Sequence, residues 1–259
     1  MTSPSEPRIT IVTGGHVGIG LAVSKSLAEA GLRVAIGARR ANDPEIQLNV
    51  ENVVGSHAML HRLDVREASS VEEFCHAVKT DLGPVSVLVN AAGISLHQRI
   101  CGHGLVEWQD VINTNLTGAF LMMRAVLPAM IEQGYGRIVN IASTAAHTAM
   151  ADHPAYCASK SGLLGLSRAA ALEGAPHGVP CITVSPTWVE TDMLQQSAAL
   201  MARENGTDVA EEIADLARAN PQNRLVQPEE VAAVVAFACS DQAPALTMED
   251  IQVSAGAHW

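Results

Sequence analysis

Positive charge is scarce in this chain. Lysine and arginine together number 16, against 27 aspartate and glutamate residues, for a formal net charge of −11. No basic run is present to neutralise phosphates, which argues against a nucleic-acid partner. Long apolar runs are also missing, because Gly, Pro or charge interrupts each one before the roughly 18 residues that a membrane span requires. Met1 to Pro7 is polar and proline-rich with no apolar signal segment, so the expectation is a cytoplasmic protein without membrane association. No CxxC pair occurs. The five cysteines (75, 101, 157, 181 and 239) are odd in number and scattered, which predicts reduced thiols packed mostly as small core residues. There is no internal repeat and no low-complexity linker. His57 and His61 lie four apart in a predicted strand and would not share an ion, so no metal is expected.

What is present is apolar patterning. Hydrophobic residues make up 48% of the 259-residue chain, enough for a sizeable core and too many for extensive disorder. Short β-branched runs alternate with longer helical stretches. Strands are predicted at Arg8–Thr13, Arg33–Ala38, His57–Leu63, Val85–Asn90, Arg137–Ile141, Val179–Ser185 and Leu246–Val253. Helices are predicted over 18–30, 67–82, 105–133, 155–175, 193–220 and 229–240. The third is expected to bend near Pro128, and the fourth carries a small-residue face of Ala158, Ser161, Gly162 and Gly165. The alternation predicts an α/β fold: a single-domain, Rossmann-like, doubly wound parallel sheet of about seven strands with helices on both faces, spanning residues 1–259. In such a sheet ligands sit beyond the carboxyl ends of the strands, where strand order reverses. Each motif below follows a predicted strand or the helix after one, which points to one composite site.

Tyr156-Cys157-Ala158-Ser159-Lys160, with Ser143 thirteen residues upstream, carries the chemistry. A Tyr and a Lys four apart stack on one helix face. An unperturbed phenol titrates near about 10, and a neighbouring ammonium is expected to pull that value down. Such a pair exchanges a proton with a substrate oxygen that the Ser143 hydroxyl holds, which suits carbonyl and alcohol interconversion. At the other end, Thr13-Gly14-Gly15-His16-Val17-Gly18-Ile19-Gly20 joins the first strand to the first helix. Glycines let the backbone approach a pyrophosphate, and the helix N-terminus offers it free N–H groups. His16 is placed beside the same phosphates. The second strand ends in Gly37-Ala38-Arg39-Arg40. An NAD site usually carries an acidic residue there, whereas two arginines suit a 2′-phosphate. NADP is therefore predicted, with NAD as the alternative through Asp43 in the following loop. Asp64 is placed to bond the adenine amino group and Val65 to pack on its ring. Asn90, Ala91 and Gly93, within Asn90-Ala91-Ala92-Gly93, put small residues along the cofactor.

Taken together, these motifs resemble the short-chain dehydrogenase/reductase family over nearly the whole chain. TGxxxGIG is Thr13 to Gly20, an NAG-type motif is Asn90 to Gly93, the helix asparagine is Asn115, the serine is Ser143, and YxxxK is Tyr156 to Lys160. The resemblance implies that Tyr156 is the general acid in reduction and the base in oxidation. It implies that Lys160 lowers the Tyr156 pKa and bonds the nicotinamide ribose, that Ser143 polarises the substrate carbonyl, and that Asn115 holds a relay water. Val189 and Thr191 resemble the residues that meet the carboxamide and pyrophosphate. A homotetramer is implied, with one interface formed by the Tyr156 and Asn115 helices. A substrate lid is expected over residues 190–222, with Leu194, Leu200, Met201 and Ile213 on its apolar face.

Two departures stand out. Pro186-Thr187 replaces the usual Pro-Gly, which sets Thr187 against the nicotinamide side. Ser254-Ala255-Gly256-Ala257-His258-Trp259 replaces the usual Asp-Gly-Gly segment. Substrate choice falls to 94–104, 144–154 and the lid, where His97, His103, His147 and His153 are candidate contacts. A weaker similarity links the chain to reductases of β-keto acyl thioesters, including polyketide ketoreductases, and to hydroxyacyl dehydrogenases. The expected activity is NADP-dependent interconversion of a ketone and a secondary alcohol, with a β-keto acyl or polyketide-type small molecule as substrate. The alternatives are an NAD-dependent hydroxyacyl or alcohol dehydrogenase and a non-catalytic cofactor-binding protein. Retention of Asn115, Ser143, Tyr156 and Lys160 together argues against the last.

Overall fold

The computed structural model describes residues 7–55 and 58–257. Seven parallel strands, β1 (Ile9–Thr13), β2 (Arg33–Ala38), β3 (Met59–Arg62), β4 (Val85–Asn90), β5 (Arg137–Ile141), β6 (Cys181–Pro186) and β7 (Asp250–Val253), form one sheet in the order β3-β2-β1-β4-β5-β6-β7. The central strands are buried on both faces, which is why they read as continuous apolar runs. Alternate residues feed two cores. Ile11, Leu88 and Ile138 pack on one face with Phe74 of α3 (Ala68–Asp81) and Met122 and Met130 of α5 (Gly118–Gln133). Val12, Ile36 and Val139 pack on the other with Val23 and Leu27 of α1 (Gly18–Glu29) and Val231 and Val235 of α9 (Pro228–Cys239). Each fully buried side chain of this size contributes about 1.5–3 kcal/mol.

Several elements differ from the sequence expectation. A helix missed by the periodicity, α2 (Pro44–Val54), buries only Ile46 and Val50. Its signal was local: Asp43 caps it by accepting from the Glu45 N–H at 3.0 Å, and Pro44 stands in the first turn. The 105–133 stretch is α4 (Leu105–Ile112), a π turn at Asn113–Thr117, and α5. The irregularity falls at Asn115, whereas Pro128 lies inside α5. The 193–220 stretch divides into α7 (Asp192–Asn205) and α8 (Val209–Ala219), because Gly206 ends α7 in the left-handed conformation with φ 71°. The last strand is confined to β7, and Met248 before it has φ 61°. The start of the predicted third strand at His57, residues 1–6, and His258 and Trp259 lie outside the described residues.

The five cysteines are free; Cys181 and Cys239 are buried, and Cys101 is exposed. Among the described residues, one helical stretch, Leu105–Gln133, is long and apolar enough by length and composition to cross a membrane. The π turn interrupts it, and α5 packs under the sheet with Met122 and Met130 in the core.

Candidate active site

Strand order reverses between β1 and β4, so the loops leaving them diverge and open a crevice. Thr13 Oγ1 ties its base by accepting from the N–H groups of Ala91 and Ala92, both at 3.1 Å. The cleft has a volume of about 920 Å³. It extends from Arg39, Arg40 and Arg66 on the β2–β3 side to Ser143, Tyr156, Lys160, Met150 and Trp188 on the β5–β6 side.

The helix α6 (Pro154–Gly174) opens with proline in its first turn and sets Tyr156 one turn before Lys160. Lys160 is 5% exposed, and its Nζ donates to the Ile141 carbonyl at the end of β5, at 2.6 Å. That Nζ lies 5.6 Å from the centroid of the Tyr156 ring. Burial pulls the Lys160 amine down to about 8. Ser143, one residue past Ala142 at the end of β5, accepts from the Ala145 N–H at 3.1 Å and shares the cleft wall with the Tyr156 phenol. Burial pushes the Tyr156 phenol up, and the Ser143 hydroxyl offsets part of that rise. The expected lowering by Lys160 is therefore corrected. Desolvation dominates the phenol, which keeps its proton at neutral pH; the ammonium gives one of its three hydrogens to the Ile141 carbonyl and keeps its charge.

Asn115 lies in the π turn and is 2% exposed. Its Oδ1 accepts from the Ile94 N–H at 2.9 Å, and its Nδ2 donates to the Ile94 carbonyl at 2.9 Å and to Ser159 Oγ at 3.0 Å. Ser159 Oγ in turn donates to the Tyr156 carbonyl at 2.8 Å. Asn115 thus braces the segment after β4 against the first turn of α6. Both of its amide hydrogens are used, so a relay water would reach this residue through an acceptor. A Cβ on Gly93 would sit 3.4 Å from Asn115 Oδ1 and 3.7 Å from Lys160 Nζ, ordinary contact distances that place Gly93 directly against both side chains.

At the start of α1, Gly14 and Gly18 adopt φ 66° and 50°. A Cβ on Gly14 would come within 2.9 Å of Ala92 Cα, and one on Gly20 would overlap the Gly14 carbonyl oxygen. The N-cap residue Val17 offers no side-chain cap, and no acidic residue stands in the first turn. His16, Val17, Gly18, Ile19 and Gly20 line the cleft, where the uncapped helix end suits an anion. Gly20→Ala is expected to force the turn apart and weaken dinucleotide binding by tenfold or more, on the order of 1.4 kcal/mol. Fluorescence titration checks this, with circular dichroism to confirm the fold; unchanged affinity refutes it.

Arg39 and Arg40 are exposed on the cleft wall. Asp43 caps α2, lies 3.8 Å from Arg40 and does not line the cleft. Burial first, and Arg40 and Arg39 next, lower the His16 pKa, so His16 adds no charge here. The Arg66 guanidinium grips Asp64 at 2.9 and 2.7 Å and holds its carboxyl below the usual range. The sequence reading missed Arg66, although Asp64-Val65-Arg66 follows β3 directly.

Gly14, Val65, Ala91, Gly93, Pro186, Thr187, Val189 and Thr191 also line the cleft. Asn90, expected on the cofactor, does not line the cleft with its neighbours: its Nδ2 donates to Asn140 Oδ1 at 2.8 Å, and Asn140 donates to Ser167 at 2.8 Å, stitching β4, β5 and α6. Thr187 Oγ1 is buried with no partner among the described residues. Thr191 caps α7 by accepting from the Leu194 N–H at 3.4 Å. None of the four loop histidines lines the cleft. His97 meets Glu204, His147 meets Asp250, His103 packs edge-on against Trp108, and His153 bonds the Ala151 carbonyl. The apolar lining includes Ile94 and Trp188 from the segments after β4 and β6 and Met193 from the first turn of α7, none of them marked by a motif.

Known proteins share this chain's sequence pattern and fold. A family model described as short chain dehydrogenase matches residues 8–201. The 3-oxoacyl-[acyl-carrier-protein] reductase of Salmonella typhimurium is 32% identical over 256 residues, with 97% of both chains covered. The D-threitol dehydrogenase of Mycolicibacterium smegmatis is 34% identical, covering 96% of this chain and 92% of its own. A crystal structure of a variant actinorhodin polyketide ketoreductase with NADPH superposes with a TM-score of 0.93, at 34% identity and 99% coverage of both chains. Motifs, sheet order and matches of this extent agree, and the chain belongs to the short-chain dehydrogenase family of oxidoreductases.

Proposed function

We propose that this enzyme reduces a ketone of the β-keto acyl class to a secondary alcohol with NADPH. The observation that carries the reading is that the hydroxyls of Ser143 and Tyr156 both line the cleft wall, with the Lys160 amine buried behind them and bonded to the Ile141 carbonyl. A ketone oxygen placed at this pair receives a hydrogen bond from Ser143. Tyr156, protonated at neutral pH, then donates its proton to that oxygen as charge develops there. The Lys160 ammonium stabilises the phenolate that remains. A nicotinamide cofactor supplies the hydride when bound. Gly14 and Val17 to Gly20 would hold its pyrophosphate, and Arg39 and Arg40 its 2′-phosphate. Asp64 and Val65 would hold the adenine, Ala91 and Gly93 the spine, and Tyr156 and Lys160 the nicotinamide ribose. Pro186, Thr187, Val189 and Thr191 would meet the nicotinamide side.

Support for NADP comes from the two exposed arginines on the cleft wall, the commitment of Asp43 to α2 and Arg40, and the NADPH in the ketoreductase neighbour. Support for a β-keto acyl substrate comes from the acyl-carrier-protein reductase and polyketide ketoreductase names, and from the apolar end formed by Met150, Trp188 and Met193. A second reading, oxidation of a secondary alcohol with NAD, is favoured by the D-threitol dehydrogenase at comparable identity. Initial rates with NADPH and NADH against β-keto thioesters, simple ketones and polyols separate the two. Arg39→Asp should weaken NADPH binding about 10- to 100-fold, the loss of one charge-assisted contact of about 1.5–3 kcal/mol. NADH binding should barely change, and equal losses would count against the phosphate contact.

The reading extends to a lid and to assembly. Met193, Leu194, Gln196 and Ser197 of α7 line the cleft, which supports closure by α7 and α8 over substrate. Along α6, Ala158, Ser161 and Gly165 are exposed, and Leu172 continues that face at 66% exposure. Small residues permit close helix approach between copies, which supports a homotetramer.

A further inference from the structure

Outside the cleft lining, side chains from three separate elements converge. His97 lies in the segment after β4, Asp152 just before α6, and Glu204 in the last turn of α7. One ligand-type atom of each lies within 4.8 Å of the others. His97 Nε2 is 2.7 Å from Glu204 Oε2, and the His97 side chain is only 9% exposed. Asp152 is held at φ 59°, and its carbonyl accepts from the Gln98 N–H at 2.6 Å, which joins the two loops. A second histidine backs the cluster. His153 is 1% exposed, and its ring centroid lies 4.9 Å from that of His97 in edge-on contact. Its Nδ1 is 2.7 Å from the Ala151 carbonyl, so Nδ1 carries the hydrogen and Nε2 the lone pair. That Nε2 and His97 Nδ1 are both buried with no partner among the described residues.

We propose that His97, Asp152 and Glu204 form a binding site for a divalent transition-metal ion, with Zn²⁺ as the best match. One imidazole and two carboxylates are a donor set that zinc accepts, with water completing the coordination. Zinc bonds of about 2.0–2.2 Å set tetrahedral ligand separations of roughly 3.3 Å. The His97–Glu204 pair therefore opens by a fraction of an ångström, and Asp152 closes in. A metal on His97 Nε2 leaves the hydrogen on Nδ1, a buried atom without a partner among the described residues, and the uncommitted Nε2 lone pair of the adjoining His153 ring offers an acceptor once the rings adjust. Magnesium and calcium prefer all-oxygen sites and fit less well. Arg99, whose Nε is 3.4 Å from Asp152 Oδ1, competes for the carboxylate, but its side chain is 84% exposed and free to leave. A bound ion would fasten the end of α7 to both flanking loops. The ligands come from positions far apart in the chain, which is why the sequence expectation of no metal did not register them. The site is independent of the reaction proposed above.

The test uses untagged, chelator-stripped full-length protein. Co²⁺ is titrated and followed by visible absorption, and Zn²⁺ by calorimetry. One equivalent is expected to bind with a Kd of about 10 μM or tighter, roughly −7 kcal/mol. His97→Ala and Glu204→Gln should each weaken binding about 10- to 100-fold. Arg99→Ala should tighten it by removing the competing cation. Hydrogen exchange across residues 192–205 should slow with Zn²⁺, while NADPH titrations stay unchanged in every variant. Absence of stoichiometric binding overturns the proposal, as does binding indifferent to Glu204→Gln and Arg99→Ala. Both of those substitutions fall on exposed side chains and leave the fold intact even if His97→Ala does not.

Discussion

Replacing Tyr156 with Phe lowers turnover of ketone by about 10²–10⁴-fold while the cofactor dissociation constant stays within about twofold. The ring is retained, so packing against Ser143 and the first turn of α6 is preserved. Only the hydroxyl is lost, and with it the proton that the developing alkoxide requires. Ser143 stays on the cleft wall, so the variant leaves Ser143 able to hold the ketone but gives it no acid. The split between turnover and cofactor affinity distinguishes this role from a structural one. Steady-state rates and fluorescence titration check it. A variant with turnover near the wild-type level would remove Tyr156 from the mechanism, and a parallel loss of cofactor affinity would make its role one of binding.

Lys160→Met is expected to abolish activity and raise stability at the same time. The Lys160 amine titrates at about 8 in the folded protein, against about 10.4 for an unperturbed lysine. Below pH 8 the ammonium is charged in both states, and keeping it buried costs about 3 kcal/mol. Between those two values the unfolded chain binds more protons, so stability rises with pH across that window. Methionine fills a similar volume without a charge. Allowing for the lost bond to the Ile141 carbonyl, about 1 kcal/mol, the variant should be more stable than wild type by about 1–2 kcal/mol at pH 7. The difference should shrink toward pH 10. Thermal unfolding from pH 6.5 to 10 measures it, and a wild type more stable than the variant at pH 7 would contradict the buried charge. In the wild type, reduction should decline as pH rises through about 8, because the phenolate then loses its ammonium. A rate flat from pH 7 to 9 would dissociate Lys160 from the proton step.

The two variants describe a site whose parts were unequally visible beforehand. The YxxxK spacing on α6, the glycine turn before α1, and the arginines after β2 depend on contacts within a few residues. One-dimensional order is enough to read them. Asp43 shows the limit. The sequence allowed it to approach a ribose, but the choice between that and capping α2 depends on whether α2 forms, and Ile46 and Val50 are a faint signal for a helix. Asn115 was legible as a motif member, but its work as a brace between Ile94 and Ser159 was not. Asn90 was assigned to the cofactor by its place in a motif, yet its side chain turns to Asn140.

By itself, then, the amino-acid order determined the alternation of strands and helices, the parallel sheet, and which side chains are the candidates for handling the proton. These follow from local periodicity and from side-chain chemistry. Only the tertiary structure decided the sign of the Tyr156 shift, the depressed titration of Lys160, the Arg66 grip on Asp64, and the meeting of His97, Asp152 and Glu204. Desolvation and through-space distance set those properties, and neither is a function of separation along the chain.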